Sequence, residues 1–350
     1  MLSYDVTEWG KPLQKALRET PKPEGTEVLV RIRYCGICHS DVHIRDGYFD
    51  MGGGKKFYMT ERGMNVPRIM GHEPFGTVVA GGPDAGELPL GKDVLVYPWT
   101  GCGKCARCAE GMDNWCQQPQ YLGIQRNGGY ADHLIVPHSR YLVDASGIEP
   151  SFAPILACSG LTTYSAVRKL APSTPKDWVL VLGAGGLGLM AIAMLRALGH
   201  ENIAVADVDA RKFDAARAMG ASVTVDPSSP EAVATLQALE GGVVGATDFV
   251  GVAQTAQLGQ AVLRKGGRYV LVGLYGGEIT VSLVALAQRA MTIQGSYVGS
   301  LAELEEVVAL ARSGKLKSIP VETVPLEQVS EVLDQLKAGT IIGRKVAKID

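Results

Sequence analysis

Two groups of cysteine and histidine residues define the chemistry open to this chain. The first is compact: Cys102, Cys105, Cys108 and Cys116 follow the spacing C-x2-C-x2-C-x7-C. Four thiolates so close in sequence can close a tetrahedral site with no open position, the pattern of structural zinc. An iron–sulfur cluster is the rival, because C-x2-C-x2-C also opens a ferredoxin motif, but the fourth spacing differs and no proline follows Cys116. The second group is dispersed. It comprises Cys38 in Cys35-Gly-Ile-Cys38-His39-Ser40-Asp41-Val-His43, the pair His72-Glu73 after Gly71, and Cys158 before Ser159-Gly160. Two thiolates and one imidazole leave the fourth position of a tetrahedral zinc free for water or substrate. Balanced by two thiolates, such an ion is formally neutral, acidic enough to lower the pKa of a hydroxyl without withholding hydride. Cys35 reads as a small buried hydrophobe. The odd total of seven cysteines argues against a disulfide framework.

A third feature is a glycine loop. Val179-Leu-Val-Leu-Gly183-Ala-Gly185-Gly186-Leu187-Gly188 is a strand running into GxGxxG, and an apolar helix follows. The first glycine permits the turn, the second admits a pyrophosphate to the backbone, and the third lets helix and strand pack closely. The helix amino end then offers unpaired N–H groups to the diphosphate. Asp207 lies about 20 residues further on, at the end of the next strand, where a carboxylate accepts hydrogen bonds from ribose hydroxyls and repels a 2′-phosphate. NAD is therefore favoured over NADP. Arg211, four residues beyond, is a further candidate contact, to ribose or phosphate.

These groups need scaffolds to hold them. At 350 residues the chain has room for about two domains. Lys plus Arg number 34 against 36 for Asp plus Glu, a net charge of −2, so there is no basic excess for a nucleic-acid backbone or an anionic membrane, and the expected partner is a small molecule. Trp178 to Leu195 carries no charge, but its clustered glycines read as strand, turn and buried helix rather than a membrane span. The amino terminus has no basic stretch followed by an apolar one, so a cytoplasmic protein is expected. From Trp178 onward, strands at 179–182, 203–206, 222–225, 247–250, 268–272 and 292–294 alternate with helices at 210–219, 230–239 and 256–264, the signature of a doubly wound parallel sheet. Before residue 155, short β-branched runs punctuated by Gly, Pro and Asp predict an antiparallel, loop-rich domain. The tail reads as helix (301–313), extended segment (322–325), helix (326–338) and strand, returning to pack on the first half.

Taken together, Gly36-Ile-Cys38-His39-Ser40-Asp41, Gly71-His72-Glu73, the four-cysteine lobe, Cys158-Ser-Gly-Leu-Thr162-Thr163-Tyr164, the glycine loop and Ile342-Gly343-Arg344 resemble the zinc-dependent medium-chain alcohol dehydrogenase family, over nearly the whole chain. The wording around His39, Trp99 and Leu161–Tyr164 looks most like its tetrameric prokaryotic NAD-dependent branch. That resemblance implies an α/β protein in which a GroES-like, β-rich catalytic domain (1–158 and 294–350) joins a Rossmann domain (159–293). It implies a catalytic zinc on Cys38, His72 and Cys158, with Glu73 and Asp41 behind it and Asp41 orienting His72. A second, structural zinc would sit on the four-cysteine lobe. Ser40 takes the place of the residue that hydrogen-bonds the alcohol oxygen, and His43 would pass the proton outward, a task suited to a group titrating near neutrality. His39 and Arg344 match pyrophosphate contacts, and Thr162 matches one that packs on the nicotinamide. Trp99, with Leu122 and Tyr297, would wall the substrate pocket. The segment Asp46–Pro67 reads equally as a lid or as a surface loop. The expected activity is NAD-dependent oxidation of an alcohol by a homotetramer. A polyol or diol dehydrogenase of the same family, and a non-catalytic NAD- and zinc-binding protein, are the alternatives.

Overall fold

The computed structural model describes residues 1–170 and 174–349. Two sheets carry the architecture. The first runs in the order Leu142–Asp144, Asp93–Val96, Pro74–Gly81, Val28–Ile37, Arg344–Lys348, Val321–Pro325, with His133–Val136 also paired to Val28–Ile37. All its pairings are antiparallel except that of the last two strands, which are parallel. The tail therefore returns as the sequence suggests, with Ala347 opposite Cys35 on the central strand.

The second sheet is parallel, in the order Val223–Val225, Ile203–Ala206, Trp178–Leu182, Val243–Asp248, Leu263–Leu271, Thr292–Gly295. Numbered along the chain this is 3-2-1-4-5-6, the doubly wound dinucleotide-binding order, with a switch point beside the first strand. Alternation explains its double covering: Val179 and Val181 face one apolar cluster, Leu180 and Leu182 the other. The uncharged stretch after Trp178 is that first strand followed by the helix Gly186–Ala197, and among the described residues no helix is long and apolar enough to cross a membrane.

Several boundaries differ from the sequence reading. The fourth strand of this sheet is Val243–Asp248, not 247–250, because the Asp248 carboxylate accepts hydrogen bonds from the Val250 and Gly251 N–H groups (2.8 and 2.9 Å) and turns the chain there. The expected boundary at 158/159 falls inside a continuous helical run, Ala153–Ile155, Leu156–Gly160 and Leu161–Arg168. The boundary at 293/294 falls inside the last parallel strand. Both halves are thus joined by shared regular elements rather than by a linker. Of the helices, 210–219 starts as a 3-10 turn (Ala210–Lys212) before Phe213–Met219.

The glycine loop makes a stability prediction. A Cβ on Gly188 would overlap the carbonyl oxygen of Gly183, whereas a Cβ on Gly185 meets nothing within 4 Å. Gly188→Ala should destabilise the protein by about 1–3 kcal/mol, with Gly185→Ala near wild type, as read from thermal melts. Equal melting temperatures for the two variants would contradict the packing described.

Candidate active site and metal centres

The central strand Val28–Ile37 delivers Cys38, in extended backbone (φ −109°, ψ 153°), to the start of the helix His39–Asp46. The Asp41 carboxylate reaches back to accept the Cys38 N–H (3.0 Å), so a carboxylate in the first helical turn fixes the residue before it. Pairing between Val28–Ile37 and Pro74–Gly81 brings His72-Glu73 alongside. Gly36 has no side chain because a Cβ there would occupy the place of the Glu73 carboxylate. Cys158 arrives from the middle of the helical run, in a buried π-helical turn, Leu156–Gly160, an irregularity that is frequent at functional sites.

One ligand atom from each of Cys38, His72, Glu73 and Cys158 lies within 4.8 Å of all the others, and all four residues are buried. The two sulfurs are 4.0 Å apart. Asp41 Oδ1 stands 3.1 Å from His72 Nδ1, and its Oδ2 accepts from the Tyr130 hydroxyl at 2.9 Å. Asp41 is fully buried, so these contacts specify Nδ1–H on the imidazole and leave the Nε2 lone pair free. His72 Nε2 has no hydrogen-bond partner, although leaving such an atom buried and unsatisfied costs about 1–3 kcal/mol. A contact from Cys158, first among the causes, pulls the Cys38 thiol well below its usual pKa despite burial. A buried acceptor, an acidified thiol and a second thiol aimed at one point are the donor set for a soft divalent ion. Glu73 stands at ligand distance but is held from behind, with both its oxygens accepting from Arg344 Nη2 (2.7 and 2.6 Å). Arg344, expected on a pyrophosphate, thus directs its guanidinium to Glu73 and to the Ile37 carbonyl (3.1 Å), while its stem lies against Gly186.

Cys38, His72 and Cys158 line a cavity to which Glu73 does not contribute. His39, Ser40, His43, Trp99 and Tyr297 line it from one side, and Thr162 and Leu187 from the nucleotide-binding side. Trp99 lies with its ring centroid 5.3 Å from that of His72 and 6.2 Å from Tyr297, and its indole N–H donates to the Ala157 carbonyl (3.2 Å). Leu122, expected in the wall, is fully buried behind it; the lining residue is Ile124, two positions on, because Leu122 turns inward where its N–H donates to the Pro98 carbonyl (3.0 Å). Thr162 Oγ1 is buried without a partner. The segment Asp46–Pro67 forms a hairpin, Tyr48–Asp50 against Lys56–Tyr58, whose tip packs on Gly277 and whose Phe49 and Arg62 line the cavity. A surface loop without a site is therefore excluded for this segment.

His43 is corrected in one respect. Burial of its imidazole, then the neighbouring His39, push its pKa down to about 4, so it is neutral at physiological pH rather than poised near it. Its ring lies 5.3 Å from that of His39 and 5.0 Å from Phe49.

At the nucleotide end Asp207 accepts the Ala184 N–H at 2.7 Å, tying the second strand to the glycine loop. Gly183 has φ +91°, and a Cβ there would press on Val250 at 2.7 Å; Gly185, by contrast, faces open space. Arg211 points away: it is 70% exposed and paired with Asp209 (2.8 Å). The cation beside Asp207 is Lys212, with Nζ 3.2 Å from Oδ1.

The four-cysteine lobe converges as its spacing suggests, with Cys102, Cys105, Cys108 and Cys116 ligand atoms within 4.8 Å of one another. The Cys102 and Gln118 N–H groups both donate to Cys116 Sγ at 3.3 Å. No disulfide forms, as all seven cysteines are free. Cys35 is wholly buried within the central strand.

Sequence reasoning missed Lys212, Phe49, Arg62, Ile124 and Tyr275. Lys212 sits one helical turn and a half after a carboxylate that needs a neighbour, and Tyr275 follows a parallel strand's carboxyl end, where such folds bind ligands, so both had a legible signal. Tyr275 stacks 4.8 Å from His39. The other three are fixed by loop packing.

Comparison with known proteins follows the same division. Residues 24–146 match the model of the alcohol dehydrogenase GroES-like domain and 186–313 that of zinc-binding dehydrogenases. An NAD-dependent alcohol dehydrogenase of Sulfurisphaera tokodaii is 34% identical over 348 residues, covering 99% of both chains. An alcohol dehydrogenase of Geobacillus stearothermophilus is also 34% identical, covering 99% of this chain and 98% of that one. The crystal structure of the alcohol dehydrogenase from Aeropyrum pernix superposes with a TM-score of 0.89 at 29% identity, covering 100% of both.

The depressed His43 pKa sets a pH signature. In the unfolded chain an imidazole titrates near about 6.5, so between that value and about 4 the unfolded state binds more protons, and stability falls as pH falls through this window. The drop in melting temperature from neutral pH to about pH 5 should be smaller in His43→Gln than in wild type. Identical drops would show that His43 is not held neutral.

Proposed function

The chain belongs to the zinc-dependent medium-chain alcohol dehydrogenases, and from that premise we propose that it catalyses the reversible, NAD-dependent oxidation of a primary or secondary alcohol to an aldehyde or ketone. The observation that carries this reading is the convergence of Cys38, His72 and Cys158, with His72 Nε2 unsatisfied, in the wall of a cavity that Leu187 of the glycine loop also lines.

The residues present fit both groups that the reaction needs. Two thiols and an imidazole acceptor suit zinc, and four further thiols suit a closed structural zinc. The open space at Gly185, the unpartnered Thr162 hydroxyl and the Asp207 carboxylate suit a dinucleotide. When bound, zinc lowers the pKa of the substrate hydroxyl and NAD accepts the hydride. The chain's own residues do the rest. Cys38, His72 and Cys158 hold the catalytic ion, and Asp41 keeps the imidazole in its ligating tautomer. Glu73, gripped by Arg344, balances charge behind them. Ser40 takes the hydroxyl proton at Oγ and His43, neutral at working pH, accepts it further out. Trp99, Tyr297 and Ile124 orient the carbinol carbon and keep water away. Thr162 positions the nicotinamide, Gly183 to Gly188 with His39 hold the diphosphate, and Asp207 with Lys212 hold the adenosine ribose, which favours NAD over NADP.

We also read the protein as a cytoplasmic homotetramer acting on small molecules. The edge strand Thr292–Gly295 is exposed along its length, and Leu283 and Val284 nearby are 80% and 65% exposed, an apolar face that a second copy would cover.

A panel of alcohols assayed with NAD and NADP, with and without chelator, tests the reading. NADH formation that chelator abolishes, on protein holding two zinc ions per chain, is expected. Cys38→Ala should lose turnover with little change in melting temperature, while Cys105→Ala should lose stability first. Undiminished turnover in Cys38→Ala, or one zinc per chain, would overturn the assignment, and a monomer by light scattering would overturn the tetramer.

A further inference from the structure

Arg62 lines the substrate cavity and, among the described residues, has no counter-ion. Its position is fixed at the backbone, where its carbonyl accepts from Gln125 Nε2 at 2.6 Å. Its guanidinium carbon lies 5.5 Å from the Phe49 ring centroid, and Nη2 donates to the Tyr297 hydroxyl at 3.1 Å. Among the described residues no ion pair involves Arg62, whereas the well-buried Arg45 and Arg344 are each paired with a carboxylate. No carboxylate lines the cavity, and apart from the cysteines, imidazoles and hydroxyls its walls are aliphatic and aromatic. A guanidinium keeps its charge at any physiological pH and carries five N–H donors; the phenol oxygen takes one, so a two-pronged contact to a carboxylate remains available.

We propose that Arg62 is a specificity-determining residue that binds a carboxylate at the far end of the substrate, making hydroxy acids the preferred alcohols, an inference that rests on the function proposed above. The Trp99 ring neighbours both His72 and Tyr297, and the Tyr297 hydroxyl accepts from the guanidinium. The substrate that suits this arrangement carries a short hydrocarbon chain between its carbinol carbon and its carboxylate. Oxidation breaks the carbinol C–H and O–H bonds and forms the C=O bond; hydride passes to NAD, one proton is released, and the carboxylate is unchanged.

The test compares ω-hydroxyhexanoate with its methyl ester, equal in reach but differing in charge, on the zinc-loaded enzyme. Wild type should prefer the acid by about tenfold or more in kcat/KM, chiefly through KM, because charge-assisted hydrogen bonds are the strong ones. Calorimetry of the NADH-loaded enzyme should give the same ratio without turnover. Arg62→Met should lower the acid-to-ester ratio by about tenfold, and Arg62→Lys should restore part of it. A wild-type ratio at or below one, or a ratio unchanged in Arg62→Met, overturns the inference. Chelator-insensitive absence of NADH formation from every alcohol, ester included, would instead sink the parent reading of the site.

Discussion

Asp41 has no exposed surface, and every contact it makes points at the reaction centre. One oxygen stands against the His72 imidazole, and the other accepts from the Tyr130 hydroxyl and the Cys38 backbone N–H. A carboxylate taken out of water is tolerated only when hydrogen bonds replace its hydration. Here those bonds lock the first turn of one helix, the approach to one strand and the ring of a ligand into a single arrangement. What they leave unsatisfied is a nitrogen lone pair beside two sulfurs, and that deficit is the site's affinity for an ion. The rest of the structure follows from having to bring Cys158, from the other side of the molecule, to the same point.

The helical run Ala153–Arg168 meets that requirement. It passes between the sheets, carries Cys158 on an irregular turn and continues to Thr162, which faces the nucleotide side. Cys158 and Thr162 are thereby about one turn apart on a single continuous element. The tail supports the same junction: Arg344 opens the strand paired to Val28–Ile37, lies against Gly186 of the nucleotide loop and grips Glu73. The hairpin from Asp46 onward closes the cavity over its outer side, with its tip on Gly277 and its Arg62 beside Tyr297. All three bridges join residues more than a hundred positions apart in sequence.

Much of this was legible in the sequence, and what was legible shares a physical cause. Cys102 to Cys116 and Gly183 to Gly188 are local motifs, in which the spacing itself fixes the geometry, so their convergence needs no knowledge of the fold. The parallel sheet was legible because strands buried on both faces are continuous apolar runs. Cys38, His72 and Cys158 were legible as donors by residue type, but their meeting at one point was expected only through the family resemblance. Leu122 against Ile124, and Arg211 against Lys212, went astray for one reason: residues one or two positions apart differ in direction, and direction is set by turns such as that between Leu122 and Arg126 and by the 3-10 start of the helix after Asp209. The His43 pKa was misjudged because burial beside His39 is a tertiary property. The strand ending at Asp248 shows the same limit, since a side-chain carboxylate rather than a hydrophobic run decides where it stops.

The central claim is that one ion is held by three side chains of this protein with its fourth position free of protein donors when NADH is bound. Anomalous diffraction at the zinc edge from crystals of the NADH-bound enzyme measures this directly. Two peaks per chain are expected, one among the four clustered cysteines and one in contact with Cys38 Sγ, His72 Nε2 and Cys158 Sγ, with Glu73 remaining on Arg344. A single peak, or a second peak closed by Glu73 in every protomer, would contradict it.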